Sequence, residues 1–286
     1  MEQLKIFIDL TRLNKPIGFM LLFWPCSWGL AYALYYEKNT NTFFYYLILF
    51  FFGSVLMRSA GCIFNDIVDK DYDKKVLRTK KRPIADGKIS VKKSLIYVML
   101  LCLMAFIILI QFNILTVLLG MGSMLLAFTY PFMKRITYWP QLFLGITFNI
   151  GCLIGYAAIE NQLNFQIIIL YLSGIFWTLG YDTIYAHQDR EDDLNIGIKS
   201  TAILFGNNTK QWIIIFYSLM VLCLILFGLL HDQNIYYFIL LIFVSAHLFS
   251  QIKRLNIENK DECLSIFKSN QYLGLMVALT LFIGIL

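Results

Sequence analysis

The sequence LIYVMLLCLMAFIILI occupies residues 95–110 and contains no charged side chain. At a rise of about 1.5 Å per residue, a helix over this run and its apolar flanks approaches the roughly 30 Å thickness of the hydrocarbon core of a bilayer. A strand of a membrane β-barrel alternates apolar and polar residues over about 10 positions, and this run shows no such alternation. The run therefore predicts a membrane-spanning α-helix.

The same pattern recurs along the rest of the chain. Of the 286 residues, 59% are hydrophobic and 15% are charged, whereas a soluble domain carries about 25% charged residues. This composition excludes a soluble globular fold, a disordered chain and a disulfide scaffold. We predict an all-α, polytopic membrane protein that forms a single domain over residues 1–286. Nine transmembrane helices are expected at about residues 17–36, 42–64, 95–111, 113–131, 140–159, 163–186, 211–230, 234–250 and 266–286.

Lysine and arginine are distributed unevenly between the two sets of connecting loops. With the N-terminus inside, 22 of the 24 basic residues fall on the cytoplasmic side, where such residues accumulate. We therefore expect a cytoplasmic N-terminus, with the two main charged loops at about residues 65–94 and 187–210. The net charge of +6 then belongs to a solvated face beside anionic lipid, and it indicates no nucleic-acid partner.

The N-terminus and the cysteines indicate the compartment. The first residues contain acidic side chains and no cleavage site of small residues, so we expect neither a secretory signal nor a transit peptide. This favours a multi-pass protein of a bacterial cell inner membrane. The six cysteines are scattered and form no CxxC pair, which favours buried reduced thiols over a metal or redox site.

The second apolar span runs into MRSAGCIFNDIVDKDYD at residues 57–73. At about 100° per residue, Asn65, Asp69 and Asp73 fall within about 80° on one helical stripe, and Asp66 lies at its edge. Acidic residues four positions apart repel each other, and near a helix C-terminus they also oppose the helix dipole. Because this arrangement costs stability unless a cation compensates, it predicts a metal site.

The sixth apolar span ends in a similar way, with GYDTIYAHQDREDD at residues 180–193. Asp182, Asp189 and Asp193 are spaced by seven and four residues, so they are expected within about 40° on one helical face. Carboxylates and an Asn amide form the all-oxygen ligand set that suits Mg²⁺, an ion usually bound together with substrate phosphates. Two such arrays predict binding of a metal and a diphosphate.

Basic residues accompany both acidic arrays. Arg78 follows the first array and Lys199 follows the second, and both are candidates to bind phosphate oxygens that the metal does not reach. Arg58 lies about two turns inside the second span. A cation inside the hydrocarbon region costs free energy, so such a residue is by default a candidate for a functional site. It is expected either to pair with an acid of its own helix or to hold a substrate carboxylate in a cavity.

These segments resemble the UbiA superfamily of intramembrane aromatic prenyltransferases. NDIVDKDYD matches the family's NxxxDxxxD motif through Asn65, Asp69 and Asp73, and DREDD supplies Asp189 and Asp193 as the DxxxD of the second motif. Within the superfamily the likeness is closest to the 4-hydroxybenzoate polyprenyltransferases. It rests on RLNKPIGFMLLFWP, RTKKRPIADGKIS, YPFMKR and DREDDLNIGIKSTAILFG, which follow the family order between residues 12 and 206.

The resemblance implies a bundle of nine helices around a central cavity that opens to the bilayer. It implies Mg²⁺ that bridges a polyprenyl diphosphate, and transfer of the polyprenyl group to the ring carbon ortho to the hydroxyl of 4-hydroxybenzoate, with release of diphosphate, in ubiquinone biosynthesis. Membrane lipid surrounds such an enzyme, and no required protein partner is evident. His187, within the second motif, receives no role.

The resemblance also assigns residues to these tasks. The expected catalytic acids are Asp69, Asp73, Asp189 and Asp193. The expected metal ligands are Asn65, Asp66, Asp69, Asp73, Asp189 and Asp193. The expected substrate-binding residues are Arg58 for the aromatic acid, Arg78, Lys134 and Lys199 for the diphosphate, and Asp182 as their neighbour.

Three alternatives remain open at this point. The nearest is another aromatic prenyltransferase of the superfamily, with a naphthoate, homogentisate or haem acceptor. An ion-coupled transporter would place its acids at mid-membrane depth and show an inverted repeat, whereas the acids here lie at helix ends. A CDP-alcohol phosphotransferase would also use clustered Asp and Mg²⁺, but its DG-containing motif is absent.

Overall fold

The computed structural model describes residues 2–36 and 39–285, and its regular structure over these residues is helical. The α-helices are α1 Glu2–Thr11, α2 Ile17–Ala33, α3 Thr40–Val68, α4 Lys70–Asp73, α5 Val91–Leu109, α6 Ile114–Ile136, α7 Pro140–Glu160, α8 Phe165–Ala186, α9 Arg190–Ile196, α10 Thr201–Phe205, α11 Thr209–Leu230, α12 Ile235–Arg254 and α13 Lys260–Ile285. A 3₁₀ turn at Gly206–Asn208 joins α10 to α11. The described ranges contain no β-strand, which confirms the predicted all-α class.

Most of the predicted spans correspond to long apolar helices. Within residues 2–36 and 39–285, eight helical segments are long and apolar enough to cross a membrane. The multi-pass membrane class is thus confirmed. The first predicted span, at 17–36, forms α2, which has only 17 residues and falls short of that length. The count of nine spans and the cytoplasmic N-terminus remain predictions.

Asparagine and serine side chains begin many of the helices. In each case the side-chain oxygen accepts a hydrogen bond from a backbone N–H of the first turn, which would otherwise have no partner. These capping residues are Asn39, Ser90, Asn113, Asn164, Ser200 and Asn234. The caps fix where the chain turns back into the bundle, and they explain why short polar interruptions are enough to separate long apolar runs.

One side of the bundle is tightly packed. In α2 and α7, a Cβ atom at Gly29 would collide with the carbonyl oxygen of Cys152, and one at Gly155 would collide with that of Cys26. Lipid tails are as apolar as leucine, so helices in a membrane associate through close packing of small residues and buried hydrogen bonds. The indole N–H of Trp28 in α2 adds such a bond, because it donates to the carbonyl of α13 residue Gly274 at 3.0 Å.

The opposite side, formed by α5 and α6, is loosely packed. In α6 the buried residues are Thr116 and Pro131, and in α5 they are few. In contrast, most of α8 is buried. Large apolar side chains of α5 and α6, such as Met99 and Leu125, are exposed and would face lipid. A wide cavity lies between this side and the tightly packed side.

An amphipathic helix that the sequence analysis did not anticipate, α1, lies across one end of the bundle. Its residues Ile6 and Leu10 are buried in a cluster with Ala60 and Ile63 of α3. We call the end that carries α1, residues 69–90 and residues 187–208 the charged end. The cluster beneath α1 fixes this helix beside the first acidic motif.

Candidate active site

A cavity of about 950 Å³ opens at the charged end. Its deeper walls are largely apolar and come mainly from α2, α3, α5, α6 and α7. The charged or polar side chains that line it include Arg12, Asn65, Arg78 and Arg82 at its polar mouth, and Arg58 and Asp182 further inside. The cavity therefore combines a cationic entrance with an apolar interior, which suits an amphiphilic ligand whose polar end is anionic.

The first acidic motif lies at a break between two helices. α3 ends at Val68, Asp69 takes a bridge-region conformation (φ −92°, ψ 3°), and α4 begins at Lys70. The hydrogen-bond pattern continues across the break, because the N–H of Asp69 donates to the carbonyl of Asn65 at 2.9 Å and that of Asp73 donates to the carbonyl of Asp69 at 2.8 Å. The amide of Asn65 also donates to Asp69 Oδ2 at 3.0 Å. The structure thus brings Asn65 and Asp69 together, as the helical stripe predicted.

Each acid of this motif binds basic side chains. Asp69 is fully buried and forms ion pairs with Lys134 and, at 3.4 Å, with Arg135. Asp73 accepts hydrogen bonds from Arg82 at 2.8 and 3.0 Å. Burial raises the pKa of Asp73, although the charge of Arg82 opposes this effect.

Asp66 binds two arginines and shares one of them, Arg82, with Asp73. Its Oδ1 accepts from Arg12 at 2.7 Å and from Arg82 at 3.1 Å, and the side chain is 1% exposed. Arg12 follows α1 directly and has a left-handed backbone (φ 58°), and its guanidinium also donates to the carbonyls of Asp9 and Leu10. Asp66 therefore ties the end of α1 and the loop that contains Arg82 to α3.

The second acidic motif also lies at a helix break. α8 ends at Ala186, Asp189 has φ −110° and ψ 4°, and the N–H of Asp193 in α9 donates to the carbonyl of Asp189 at 2.8 Å. The single acidic face predicted for Asp182, Asp189 and Asp193 is wrong, because the break separates Asp182, on α8, from the other two acids.

His187 lies at this break and contacts another helix. The ring Nε2 of His187 forms a hydrogen bond of 3.0 Å with the hydroxyl of Thr209 in α11. Burial, with a smaller effect of the Arg190 charge, lowers the pKa of His187 to about 4, so the ring is neutral at physiological pH. The contact joins the chain just after α8 to α11.

Arg78 connects the two motifs. It follows the first motif in the chain, and its guanidinium binds both carboxylate oxygens of Asp189 in the second motif, with 2.7 Å between Nε and Oδ1. It also donates to the hydroxyl of Tyr185 at 3.3 Å. Burial raises the pKa of Asp193 to about 7, and the charge of Asp189 acts in the same direction. The two motifs therefore face each other across the mouth of the cavity.

Lys134 and Lys199, the other two cations assigned to the diphosphate, form contacts within the protein at the charged end. Lys134 binds Asp69. The ammonium of Lys199 donates to the carbonyl of Ile136 at 3.1 Å and lies 5.5 Å from the ring centre of Tyr138, while its backbone N–H donates to the carbonyl of Lys134 at 2.8 Å. Lys199 therefore binds carbonyl groups in the last turn of α6. Neither lysine lines the cavity.

Arg58 and Asp182 lie in the wall of the cavity. The guanidinium carbon of Arg58 is 5.5 Å from the ring centre of Phe148, and its buried Nε has no hydrogen-bond partner within the described residues. Of the two roles predicted for Arg58, this position fits the second, in which a ligand supplies a carboxylate. Tyr130 lines the same part of the cavity and adds an aromatic wall.

The UbiA prenyltransferase family matches residues 22–279 of this chain. The chain belongs to this family. It is 47% identical over 284 residues to 4-hydroxybenzoate polyprenyltransferase, mitochondrial, of Homo sapiens, which covers 98% of this chain and 76% of the relative. It is 44% identical over 285 residues to the protein of that name in Drosophila melanogaster, with coverage of 99% and 72%.

Solved structures of UbiA homologues share the fold. The apo structure of a homolog from Aeropyrum pernix K1 covers 94% of this chain and 99% of its own, with a TM-score of 0.79 at 21% identity. A homolog from Archaeoglobus fulgidus bound to GPP and Mg²⁺ covers 97% of this chain and 99% of its own, with a TM-score of 0.73 at 16% identity. The UbiA fold is thus common to proteins of very different sequence.

The residues at the charged end of this UbiA chain have the chemistry that a metal site requires. In the part of the chain that the structure describes, no three His, Cys, Asp or Glu side chains converge as a ready-made metal site. The acids are instead neutralised by basic side chains. Their donor set nevertheless fits Mg²⁺, because it consists of carboxylate oxygens and one Asn amide, and the buried Oδ2 of Asp66 has no partner among the described residues.

Sequence reasoning did not single out Arg12 or Arg135, although both bind acids of the first motif. Arg12 lies in RLNKPIG, one of the blocks that carry the family resemblance, and this was the available signal. Its partner lies 54 residues away in the chain. Helical periodicity compares only neighbouring turns, so a contact between such distant residues has no periodic signature.

Proposed function

We propose that this UbiA-family chain transfers the polyprenyl group of a polyprenyl diphosphate to the ring carbon ortho to the hydroxyl of 4-hydroxybenzoate. Diphosphate is released, and the reaction is a step of ubiquinone biosynthesis. The observation that carries the proposal is the similarity to human and fruit-fly relatives of that name, which extends over at least 98% of the chain at 44–47% identity. The shape and charge of the cavity support the same reaction.

The donor would bind with its diphosphate at the charged end and its prenyl chain in the apolar interior. Arg78 and Arg82 line the entrance, where they are placed to bind phosphate oxygens. Cleavage of the allylic C–O bond moves negative charge onto the diphosphate, and preorganised cations stabilise that charge as it develops. Apolar walls around the delocalised carbon cation exclude the water that would quench it.

The acidic motifs would hold the metal of this reaction. Mg²⁺, when bound, neutralises diphosphate charge and fixes the orientation of the leaving group. The proposed ligands are Asn65, Asp66, Asp69, Asp73, Asp189 and Asp193. Because several of these acids form ion pairs with arginine, these arginines would be free to bind phosphate once the acids bind metal.

The acceptor would bind beside Arg58. Its carboxylate would take the hydrogen bond that the buried Nε of Arg58 does not make within the described residues. Asp182 and Tyr130 line the cavity in the same region. The ring carbon ortho to the hydroxyl, made electron-rich by oxygen, attacks the prenyl cation, and the ring proton is lost after the new C–C bond forms.

The decisive experiment uses purified full-length protein in lipid nanodiscs. It is incubated with Mg²⁺, a polyprenyl diphosphate and, in separate reactions, 4-hydroxybenzoate, dihydroxynaphthoate or homogentisate, and products are identified by mass spectrometry. We expect a C-prenylated product with 4-hydroxybenzoate, lost on addition of EDTA. If a product forms only with dihydroxynaphthoate or homogentisate, that compound replaces 4-hydroxybenzoate as the proposed acceptor. Absence of product from all three reactions would overturn the proposal.

Orientation and location belong to the same proposal. We propose that the charged end faces the cytoplasm, with α2 as the first of nine spans, because basic residues accumulate there. Labelling of Lys80→Cys and Gln162→Cys with a membrane-impermeant maleimide in intact spheroplasts tests this, since only the second is expected to react. A bacterial inner membrane was expected from the sequence, but the relatives named above are mitochondrial and do not support it. Fractionation of the source cells decides between the two membranes.

A further inference from the structure

Two carboxylates line the cavity within the described residues, Asp9 and Asp182. Asp9 is on α1 at the charged end, where its side chain accepts a hydrogen bond of 3.3 Å from Asn14. Asp182 lies deeper, on α8, four residues before that helix ends at Ala186. No histidine is among the described residues that line the cavity. Asp182 is therefore the carboxylate that a ring bound inside the cavity would meet.

Asp182 has no partner that neutralises it directly. Within the described residues its carboxylate forms neither a hydrogen bond nor an ion pair, whereas Asp69, Asp73 and Asp189 each bind a basic side chain. The charge that acts on Asp182 is that of Arg58, which also lines the cavity. Because these two side chains do not form an ion pair, the space beside both is open to a ligand. The oxygens of Asp182 are thus free to accept a proton.

The helix that carries Asp182 is held firmly from behind. A Cβ atom at Gly180 would lie 2.1 Å from Cε1 of Tyr217, so α8 and α11 pack in direct contact beside the acid. On the side of α7, the amide of Asn149 donates to the hydroxyl of Thr178 at 2.8 Å. A functional group on a packed helix keeps its position more precisely than one on a loop. α8 therefore fixes where the carboxylate meets a bound ring.

We infer that Asp182 is the catalytic base that takes the ring proton of the acceptor. This inference rests on the proposed function. Once the prenyl carbon has bonded to the ring carbon ortho to the hydroxyl, that carbon still carries its hydrogen and the ring is positively charged. The C–H bond then breaks, its electron pair restores the aromatic ring, and the proton passes to an oxygen of Asp182. The protonated acid releases this proton to water when the product leaves, which restores the carboxylate.

The loss of this base has a kinetic signature. In the wild type we expect cleavage of the donor or release of product to limit turnover, so deuterium at the reacting ring carbon should leave kcat unchanged. A positioned base accelerates proton transfer about 10²–10⁴-fold. The amide of an asparagine does not take up a proton as a carboxylate does. In Asp182→Asn, removal of the ring proton therefore becomes the slow step, and deuterium there slows turnover.

The test uses full-length protein in lipid nanodiscs with Mg²⁺, a polyprenyl diphosphate and 4-hydroxybenzoate. For each variant, kcat is measured in parallel with the ordinary acceptor and with acceptor that carries deuterium at both carbons ortho to the hydroxyl. Asp182→Asn removes the base, and Asp182→Glu keeps a carboxylate in a displaced position. Arg78→Lys is the control for slow turnover of another origin, because Arg78 lies at the entrance and binds Asp189.

For Asp182→Asn, we expect kcat to fall about 10²–10⁴-fold and to be lower still with the deuterated acceptor. Asp182→Glu should give an intermediate kcat and isotope effect, and Arg78→Lys should be slow without an isotope effect. Wild-type kcat in Asp182→Asn, or slow turnover without an isotope effect, would overturn the assignment. If Asp182→Asn does not fold, the same comparison with Asp182→Glu decides. Absence of product from the wild type would instead refute the proposed function.

Discussion

Asp66 provides a test of how basic and acidic side chains stabilise the charged end. The perturbation is a double-mutant cycle of Arg12→Met and Arg82→Met, which removes the two cations bound to one buried carboxylate oxygen. In either single variant, Asp66 keeps one partner. In the double variant it keeps neither, and its second oxygen already has no partner among the described residues.

The structure sets the size of the expected effect. A hydrogen bond to a charged group contributes about 1.5–3 kcal/mol, so the loss of either bond to Asp66 is expected to lower the free energy of unfolding by about 2 kcal/mol. Arg82→Met also removes the bond to Asp73, but this loss is the same in the single and the double variant and cancels in the cycle. Removal of the last partner leaves the buried charge of Asp66 unpaired, and this step costs about 3–5 kcal/mol in place of about 2 kcal/mol. Because only the double variant creates this state at Asp66, its loss should exceed the sum of the single losses by at least about 1 kcal/mol.

The assay is reversible unfolding in mixed micelles with increasing SDS, followed by tryptophan fluorescence. The same cycle is then repeated with Asp66→Asn in every variant, where no buried charge remains and the coupling should fall below about 0.5 kcal/mol. Additive effects in the native background would refute the reasoning. Coupling of the same size in the Asn background would show that it arises elsewhere, for example through the contact between Arg82 and Asp73.

Three further predictions concern catalysis and metal binding. Asp69→Ala or Asp189→Ala should abolish product formation while gel filtration still shows a folded monodisperse protein, whereas the exposed acid Asp71 should tolerate the same change. Near-normal turnover in either of the first two variants would contradict their assignment as metal ligands. Arg58→Ala should raise KM for the aromatic acid roughly 10- to 100-fold, because one charge-assisted hydrogen bond is lost. KM for the prenyl diphosphate should be nearly unchanged. The reverse pattern would place Arg58 at the diphosphate. Since the pKa of Asp193 is raised to about 7, this carboxyl is mostly protonated below that pH and binds metal poorly there. The affinity of EDTA-treated protein for Mg²⁺, measured by calorimetry, should therefore rise between about pH 6 and pH 8. Asp193→Asn should remove this part of the pH dependence, and an equally steep profile in that variant would exclude Asp193 as its source.

The long helices could be predicted well from the sequence because two local signals agree. The sixth predicted span, 163–186, corresponds to Phe165–Ala186, whose apolar run follows the cap residue Asn164. α3 extends to Val68, beyond the predicted end at residue 64. The difference has a physical reason. A charged residue such as Asp66 interrupts an apolar run in the sequence, so the predicted span ends before it. In the structure, distant arginines bind Asp66, and the helix continues through it.

The candidate site could be predicted only in part. The four-residue spacing correctly grouped Asn65 with Asp69, because that interaction depends on helix geometry alone. It could not reveal that α8 ends at Ala186, between Asp182 and Asp189, where His187 contacts Thr209 of another helix. The same limit applies to Arg12 and Arg78, whose partners are 54 and 111 residues away.

The unequal packing of the bundle has a consequence for the membrane around it. α2, α7 and α8 hold one another through backbone contacts and buried side chains, whereas α5 and α6 rest largely on lipid. A change in bilayer thickness is met first by the helices with the fewest protein neighbours, through tilt or displacement. Lateral pressure of the host bilayer therefore acts on helices that line the apolar interior of the cavity, and the lipid composition of the membrane becomes one of the variables that set the width of that interior.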